Sequence, residues 1–421
     1  MTTPYLIQLG LTAILAFYVA WNLGANDVAN SMGTSVGSKA VTLRQALIIA
    51  GTLEFTGAVL FGRRVSSTLA TEVVNPELFA QTPQLLLLGM VSVLLACGLW
   101  LQIATSQGLP VASSHAVVGA IAGFSWLAMG IDAVDWKNIG MISLAWVVTP
   151  VVSGILAIAF YSLLKWGILD RPQPLMQLRE WIPWLSAAII SVFGVIVLPT
   201  LFDTPFFASL PLPRHDLILA TGGLAAVGLT MVSWRNLENS QVSSNPNLTS
   251  PIEKQLGRFQ VISACFVAFA HGSNDVGNAI APLAAIAFIL RTGTVPLIGI
   301  DVPLWILVLG GVGIVTGLAV LGKNVIATIG EGIISLQPSS GFCAEIATAT
   351  TILFASRLGI PVSTSHALVG GVIGIGLIQS WQKVRFETVR SIILAWVVTL
   401  PAAGGLGATI FLGLRWLFLK A

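Results

Sequence analysis

GANDVAN occupies residues 24–30, and a near copy, GSNDVGN, occupies residues 272–278. Both lie inside long apolar sequence. Each puts an Asn and an Asp where a lipid interior would penalise them. A charged residue in a membrane-length segment marks a functional site by default. One such site in each half of the chain is the layout of a transporter built from duplicated repeats. Asn26, Asp27, Asn274 and Asp275 are therefore the first candidate site residues.

The surrounding composition supports a membrane setting. The 421 residues are 55% hydrophobic and 9% charged, with mean hydropathy +0.90. Soluble domains carry roughly 25% charged residues. Residues 1–26, 78–131, 138–164, 181–202, 302–322, 358–382 and 391–414 contain no Asp, Glu, Lys or Arg. About 20 apolar residues span the hydrocarbon as a helix, which gives about ten to twelve crossings or half-crossings. The expected fold is an all-α polytopic membrane protein, with some broken or re-entrant segments. A β-barrel would show short alternating segments instead. The first 26 residues lack a basic stretch and run into the first motif, so they are expected to stay in the mature chain. Cys97, Cys265 and Cys343 form no CxxC pair and read as core residues, not as a disulfide framework or a metal site. No basic run is dense enough for nucleic acid.

The halves match in order as well as in motif. Residues 110–119 (PVASSHAVVG) correspond to residues 361–370 (PVSTSHALVG) at an offset of 251 (361 minus 110). LAWVVT recurs at residues 144–149 and 394–399, an offset of 250 (394 minus 144), and the Asn-Asp motifs are offset by 248 (275 minus 27). A weaker match sets Thr56, Gly57, Gly62 and Val65 against Thr316, Gly317, Gly322 and Val325 at 260 (316 minus 56). Ordered matches at nearly constant offset mean duplication. The expected division is a first half at 1–233, a polar inter-repeat loop at 234–258 and a second half at 259–421. The loop contains an Asn247-Leu248-Thr249 sequon that carries little weight. Repeats of this kind are often related by an axis in the membrane plane, with one copy inverted.

Each polar position has a bland reading and a functional one. The Asn-Asp pairs could cap helices. However, the uncharged runs at 259–274 and 276–290 are each too short to span comfortably, which predicts broken helices around a binding site. Carboxylate, amide and backbone oxygens suit a hard cation such as Na⁺. Ser113 and Ser114, and Thr364 and Ser365, each follow a Gly-x-Pro. Pro followed by small hydroxyl residues starts helices, and helix N-termini suit oxyanions. His115 and His366 sit at matching places, and either orient these hydroxyl segments or take part in proton or substrate handling. Glu54 and Glu345 are private to one half each, aligning with Ile314 and Leu94, which argues for chemistry over folding. Pairing with Arg63, Arg64 or Arg357 is the alternative. Arg63, Arg64 and Lys323 read as snorkelling residues, and most Trp as interfacial anchors.

Taken together, these motifs resemble the inorganic phosphate transporter (PiT) family, a group of ion-coupled phosphate carriers. The resemblance covers nearly the whole chain. It rests on GANDVANSMGTSVGS at residues 24–38, HGSNDVGNAIAPLA at residues 271–284, the two Pro-Val-x-x-Ser-His segments and Glu345 in GF-x-x-E-x-A. It implies symport of phosphate with Na⁺ or H⁺, alternating access, two inverted repeats and a homodimer. By position, Asn26, Asp27, Asn274 and Asp275 would bind ion and phosphate. Ser113, Ser114, Thr364 and Ser365 would line the anion site, and Glu54 and Glu345 would be transport-critical acids. The second motif departs from the commoner HGANDVANAIGP at Ser273, Gly277 and Ala281, all small-for-small changes that leave the coupling ion open.

The expected function is secondary active import of phosphate in the inner or plasma membrane. No cofactor is expected beyond the transported phosphate and coupling cation. A cation near Asp27 and Asp275 would bind first and offset their charge. The anion would follow between the hydroxyl-rich helix starts, and one repeat set would rock against the other. Sulfate permease activity is the main alternative. Phosphate keeps a P–OH donor that an ionised carboxylate, Glu345 or either Asp, can accept, whereas sulfate only accepts, so Glu345 is also a candidate substrate-binding residue. An uncoupled anion channel would need no cation sites. An intramembrane enzyme is disfavoured, because adjacent Ser-His in duplicate with no elbow motif is poor nucleophile geometry.

Overall fold

A chain this apolar must satisfy its own backbone N–H and C=O groups within each segment, and the α-helix does so. The structure is a computed structural model that describes residues 3–107, 111–202, 214–242, 250–330 and 333–419. The described residues form twelve α-helices: α1 (Thr3–Gly37), α2 (Leu43–Thr71), α3 (Pro83–Ser106), α4 (Ser113–Met129), α5 (Trp136–Leu164), α6 (Pro174–Phe202), α7 (Arg214–Val242), α8 (Pro251–Thr292), α9 (Leu304–Gly330), α10 (Pro338–Leu358), α11 (Thr364–Ser380) and α12 (Phe386–Leu419). Nine of them are long and apolar enough to cross a membrane, and α4 and α11 are shorter apolar helices.

Local chemistry sets several ends. A capping box starts α2, with Thr42 Oγ1 accepting from the Gln45 N–H and Gln45 Oε1 accepting from the Thr42 N–H. Gly359, at φ 75°, ends α10 in the left-handed conformation. The outer surface is as apolar as the interior: Ile14, Val147 and Trp184 are exposed, while Asp27, Glu54, His271 and Glu345 are buried. That inversion fits lipid as the surrounding solvent.

The two halves interlock. α1 packs along α9, and α2 along α8. Gly317 of α9 lies against the Trp21 carbonyl of α1, and Gly57 of α2 lies against the Phe269 carbonyl of α8. Gly24 meets the Ile314 carbonyl, as Gly272 meets that of Glu54. These are the same contacts under the 248 and 260 offsets. The contacts advance together along both chains, so each pair runs parallel: Gly313 faces Phe17 and Ala20, Gly317 faces Trp21, and Gly322 faces Val28. In the same way α4 packs parallel to α12, and α5 to α11. One four-helix body results, α1/α2/α8/α9, beside two crossed pairs, α4/α12 and α5/α11. Helices from both halves build the body and each pair; α3 packs between the body and α4/α12, and α10 between the body and α5/α11.

Two helix hairpins turn back inside the bundle. α3 and α4 begin and end at the end of the bundle where α2 finishes. There Asp135 N–H donates to the Val73 carbonyl at 3.1 Å, and Asn75 N–H donates to that of Ala133 at 2.9 Å. The matching bond from Arg385 N–H to the Ile333 carbonyl, at 3.0 Å, closes α10–α11 at the opposite end. In each hairpin the second helix, α4 or α11, starts deep in the bundle, where Ser113 and Thr364 are buried. Helix extends through residue 242 and resumes at Pro251, so much of the polar stretch 234–258 is helical. Gly108, Leu109, Pro110 and the Asn247 sequon fall outside the described residues, as does the side chain of Lys323.

Candidate ion and anion site

Contrary to the broken-helix expectation, both Asn-Asp motifs lie on unbroken helices. α1 runs 35 residues through Asn26-Asp27, and α8 runs 42 residues through Asn274-Asp275. The two short apolar runs flanking Asp275 are one helix, because the polar side chains find partners across helix interfaces. The chain is broken instead just before α4 and α11. Their first residues meet the aspartates. Ser113 Oγ donates to Asp27 Oδ2 at 3.0 Å, and Thr364 Oγ1 donates to Asp275 Oδ2 at 2.7 Å. Asn30 Nδ2 donates to Asp27 Oδ1 at 3.2 Å, and Asn278 Nδ2 donates to Ser113 Oγ at 3.1 Å. The Asn26 amide lies 2.9 Å from Thr105 Oγ1, and the Asn274 amide 3.1 Å from Ser356 Oγ, at equivalent places.

One imidazole crosses between the halves. His271 Nε2 is 3.0 Å from Asp275 Oδ2, and its Nδ1 is 3.2 Å from Glu54 Oε1. Ser31 Oγ donates to the same Glu54 oxygen at 2.7 Å. Ligand atoms of Asp27, His271 and Asp275 all lie within 4.8 Å of one another. Three buried carboxylates thus share at most one positive charge from protein among the described residues. Carboxylates out of water need a compensating cation or protons. The hard oxygen set offered here, with Asn30 Oδ1 and Asn278 Oδ1 buried without a hydrogen-bond partner, suits an alkali cation.

The equivalents of Glu54 and His271 are Ile314 and Leu23, an apolar pair (54 plus 260, 271 minus 248). This asymmetry gives a direct test. His271→Ala strands Glu54 and should lower unfolding stability by about 3–5 kcal/mol. The double variant Glu54→Ile/His271→Leu copies the apolar pair of the other half. It should regain most of that stability in detergent unfolding while still failing to drive uptake. Equal instability of single and double variants would count against a charge pair.

The sequence pattern of the phosphate transporter family matches residues 23–407. The chain belongs to the phosphate transporter family. A Haemophilus influenzae protein whose name provisionally makes it a phosphate permease is 41% identical, over 97% of each chain. The inorganic phosphate transporter 2-1 of Arabidopsis thaliana, a chloroplastic protein, is 38% identical over 97% of this chain and 72% of its own. Among solved structures, one titled the sodium-dependent phosphate transporter superposes with a TM-score of 0.88 at 34% identity, covering 98% of this chain and 100% of the other.

Within this family member the candidate residues do not all meet. Asp27, Asp275, Ser113, Thr364, Asn26 and Asn274 converge. Ser114 Oγ is buried and unpartnered beside them, and Ser365 Oγ pairs with Ser363 Oγ at 2.9 Å. Of these two helices only α11 is capped by a side chain, with Ser363 Oγ accepting from the His366 N–H; Ala112 at the start of α4 offers no such cap. The plain capping reading therefore holds for one helix start and not for the other. Glu345 sits elsewhere. Its carboxylate accepts from Thr34 Oγ1 at 2.7 Å, Ser35 Oγ at 2.6 Å, Gln260 Nε2 at 3.0 Å and Ser263 Oγ at 2.8 Å. Thr34 lies two helical turns beyond Asp27, roughly 10 Å along α1. Among the described residues neither Glu54 nor Glu345 pairs with an arginine: Arg63 bridges Asp301 at 3.0 Å, Arg64 donates to the Arg357 carbonyl at 2.7 Å, and Arg357 donates to that of Ile196 at 2.8 Å. His271, Ser31, Asn30 and Asn278 were missed as site residues. The signal was present, because His271 precedes Asp275 by one helical turn and both asparagines stand inside the quoted motifs. The three cysteines are free, and Cys97 and Cys343 are buried.

Proposed function

We propose that the chain imports inorganic phosphate by symport with Na⁺, with Asp27 and Asp275 as the cation ligands. The observation that carries this is their convergence with His271 within 4.8 Å, each aspartate also bound to the hydroxyl that opens α4 or α11. Before the cation arrives, the carboxylates repel a phosphate dianion; once it is bound, the repulsion falls. The anion then lies against the first turns of α4 and α11, where open N–H groups, the dipoles and the hydroxyls of Ser114 and Ser365 donate. Phosphate keeps one P–OH that a site carboxylate can accept, which favours it over sulfate. Glu345 of α10, held by Thr34 and Ser35 farther along α1, acts as a transport acid.

The crossed packing supports alternating access. The halves, 1–233 and 259–421, are read as inverted repeats. This is supported by the parallel run of α1 with α9 and of α2 with α8. A half cannot rock against the other half when the two are knit together by glycine-to-backbone contacts, so the moving units are crossed assemblies, the body α1/α2/α8/α9 against the pairs α4/α12 and α5/α11, with the site at their boundary. The reading extends to a homodimer in the inner or plasma membrane.

Purified protein in proteoliposomes should concentrate radiolabelled phosphate above equilibrium under an inward Na⁺ gradient, unaffected by excess sulfate. Uptake driven by a proton gradient alone would replace Na⁺ with H⁺. Gradient-driven uptake of sulfate in place of phosphate would overturn the substrate, and uptake indifferent to either gradient would indicate a channel.

A further inference from the structure

Four rings meet where α4, α5, α11 and α12 cross: His115, Trp146, His366 and Trp396. The His115 ring lies over the Trp146 ring, with centroids 3.8 Å apart and planes 33° apart. Its Nδ1 is 3.1 Å from the carbonyl oxygen of Trp396. His366 does the converse. It lies over Trp396 at 3.6 Å and 31°, with Nδ1 2.9 Å from the carbonyl oxygen of Trp146. The imidazoles meet edge to face at 4.8 Å. All four side chains are buried, at 5–7% exposure. Each histidine therefore stacks on one helix and hydrogen-bonds to the helix from the other half.

A carbonyl oxygen only accepts, so Nδ1 carries the proton and Nε2 is left as a bare acceptor. Both Nε2 atoms are buried without a hydrogen-bond partner among the described residues, as are both indole N–H groups. A proton relay needs a bonded path from one group to the next. Among the described residues no protein group offers either Nε2 such a contact. What the rings do have is a reciprocal pair of cross-links between halves, placed two residues from Ser113 and two from Thr364, about 3 Å along each helix.

We propose that this box is a fastener. It fixes the first turns of α4 and α11 to α5 and α12, so that Ser113 and Thr364 reach Asp27 and Asp275 together. His115 and His366 are positioning residues and move no proton. The inference rests on the reading of Ser113 and Thr364 as site residues.

Asparagine places an N–H donor where Nδ1 is, whereas glutamine places one where Nε2 is. The double variant His115→Asn/His366→Asn should keep Na⁺-driven phosphate uptake within about threefold of the parent, with an unchanged pH profile between about pH 5 and about pH 8. His115→Gln/His366→Gln should raise the phosphate KM at least about tenfold, since a site held too loosely loses its geometry. Loss of uptake in the asparagine pair as complete as in the glutamine pair, both being folded by size exclusion and thermal unfolding, would overturn the fastener. So would a shifted pH profile in the asparagine pair. Histidine ¹⁵N spectra of the unmodified protein give a separate reading: a protonated Nδ1 and bare Nε2 across that pH range are expected, and an Nε2–H tautomer or an imidazolium would sink the idea. If the unmodified protein takes up no phosphate at all, the functional reading fails. The spectra then still decide the fastener.

Discussion

Asp27→Asn and Asp275→Asn should each cut Na⁺-driven phosphate uptake by roughly 100-fold, while the protein stays folded. The substitution keeps shape. An Asn oxygen can still accept from Ser113 Oγ or Thr364 Oγ1, so the bonds at 3.0 and 2.7 Å need not break. What disappears is the charge that would hold a cation among buried carboxylates. An interaction with a charged group contributes about 1.5–3 kcal/mol, and 1.4 kcal/mol is tenfold in binding. Losing one such ligand, and with it part of the offset that admits the anion, gives the estimate. The two variants should differ in stability. Asp275 also touches His271, which in turn holds Glu54. Asp275→Asn should therefore lower the unfolding temperature more than Asp27→Asn. Normal gradient-driven uptake by both variants in proteoliposomes would end the proposed mechanism.

The second large effect concerns folding. Gly24→Ala, Gly272→Ala and Gly317→Ala are each expected to lower stability by about 3 kcal/mol or more, and to reduce the yield of monodisperse protein. A single methyl at these places runs into the backbone carbonyl of Ile314, Glu54 or Trp21. Overpacking a core typically costs about 1–3 kcal/mol, because side chains can turn aside. A backbone carbonyl in a packed helix cannot, so the helices themselves must separate. Gly140 and Gly405 are controls, since nothing stands within 4 Å of a Cβ there. Replacing a helical glycine by alanine in open space stabilises by roughly 0.5–1 kcal/mol. The controls should thus move in the opposite direction. Thermal unfolding in detergent, compared across the five variants, decides it; equal effects at clashing and open positions would refute the close-packed interface.

Polar residues in an apolar chain stand out, which is why Asp27, Asp275, Glu54 and Glu345 were legible, and why duplication was readable from their offsets. Continuity of the motif helices was not. Run length alone argues for a break at Asp275, whereas the break is forestalled by partners that only tertiary packing supplies. The Glu54–His271 pair hides for a related reason. Its members come from non-equivalent places in the two halves, so an alignment of the repeats sets each against an apolar residue. Glu345 is legible as an acid in apolar sequence, but its separation from the aspartates is not, because its neighbours come from other helices. Four donors from α1 and α8 hold it in a separate cluster. The crossing of the halves had a sequence trace in Gly57 and Gly317, whose matched positions only acquire meaning once their carbonyl partners are seen.

The interlock also bears on how the chain is made. During synthesis α1 and α2 enter the bilayer long before α8 and α9 exist. Glu54 then waits for His271, about two hundred residues later, which is roughly 10–40 s at ordinary elongation rates. Throughout that interval the nascent first half carries a carboxylate, an Asn-Asp pair and glycine-lined faces with no mates. Neither half could therefore be produced alone as a stable unit. Assembly inside the cell should depend on an insertase or chaperone that shelters the early helices until the late ones arrive.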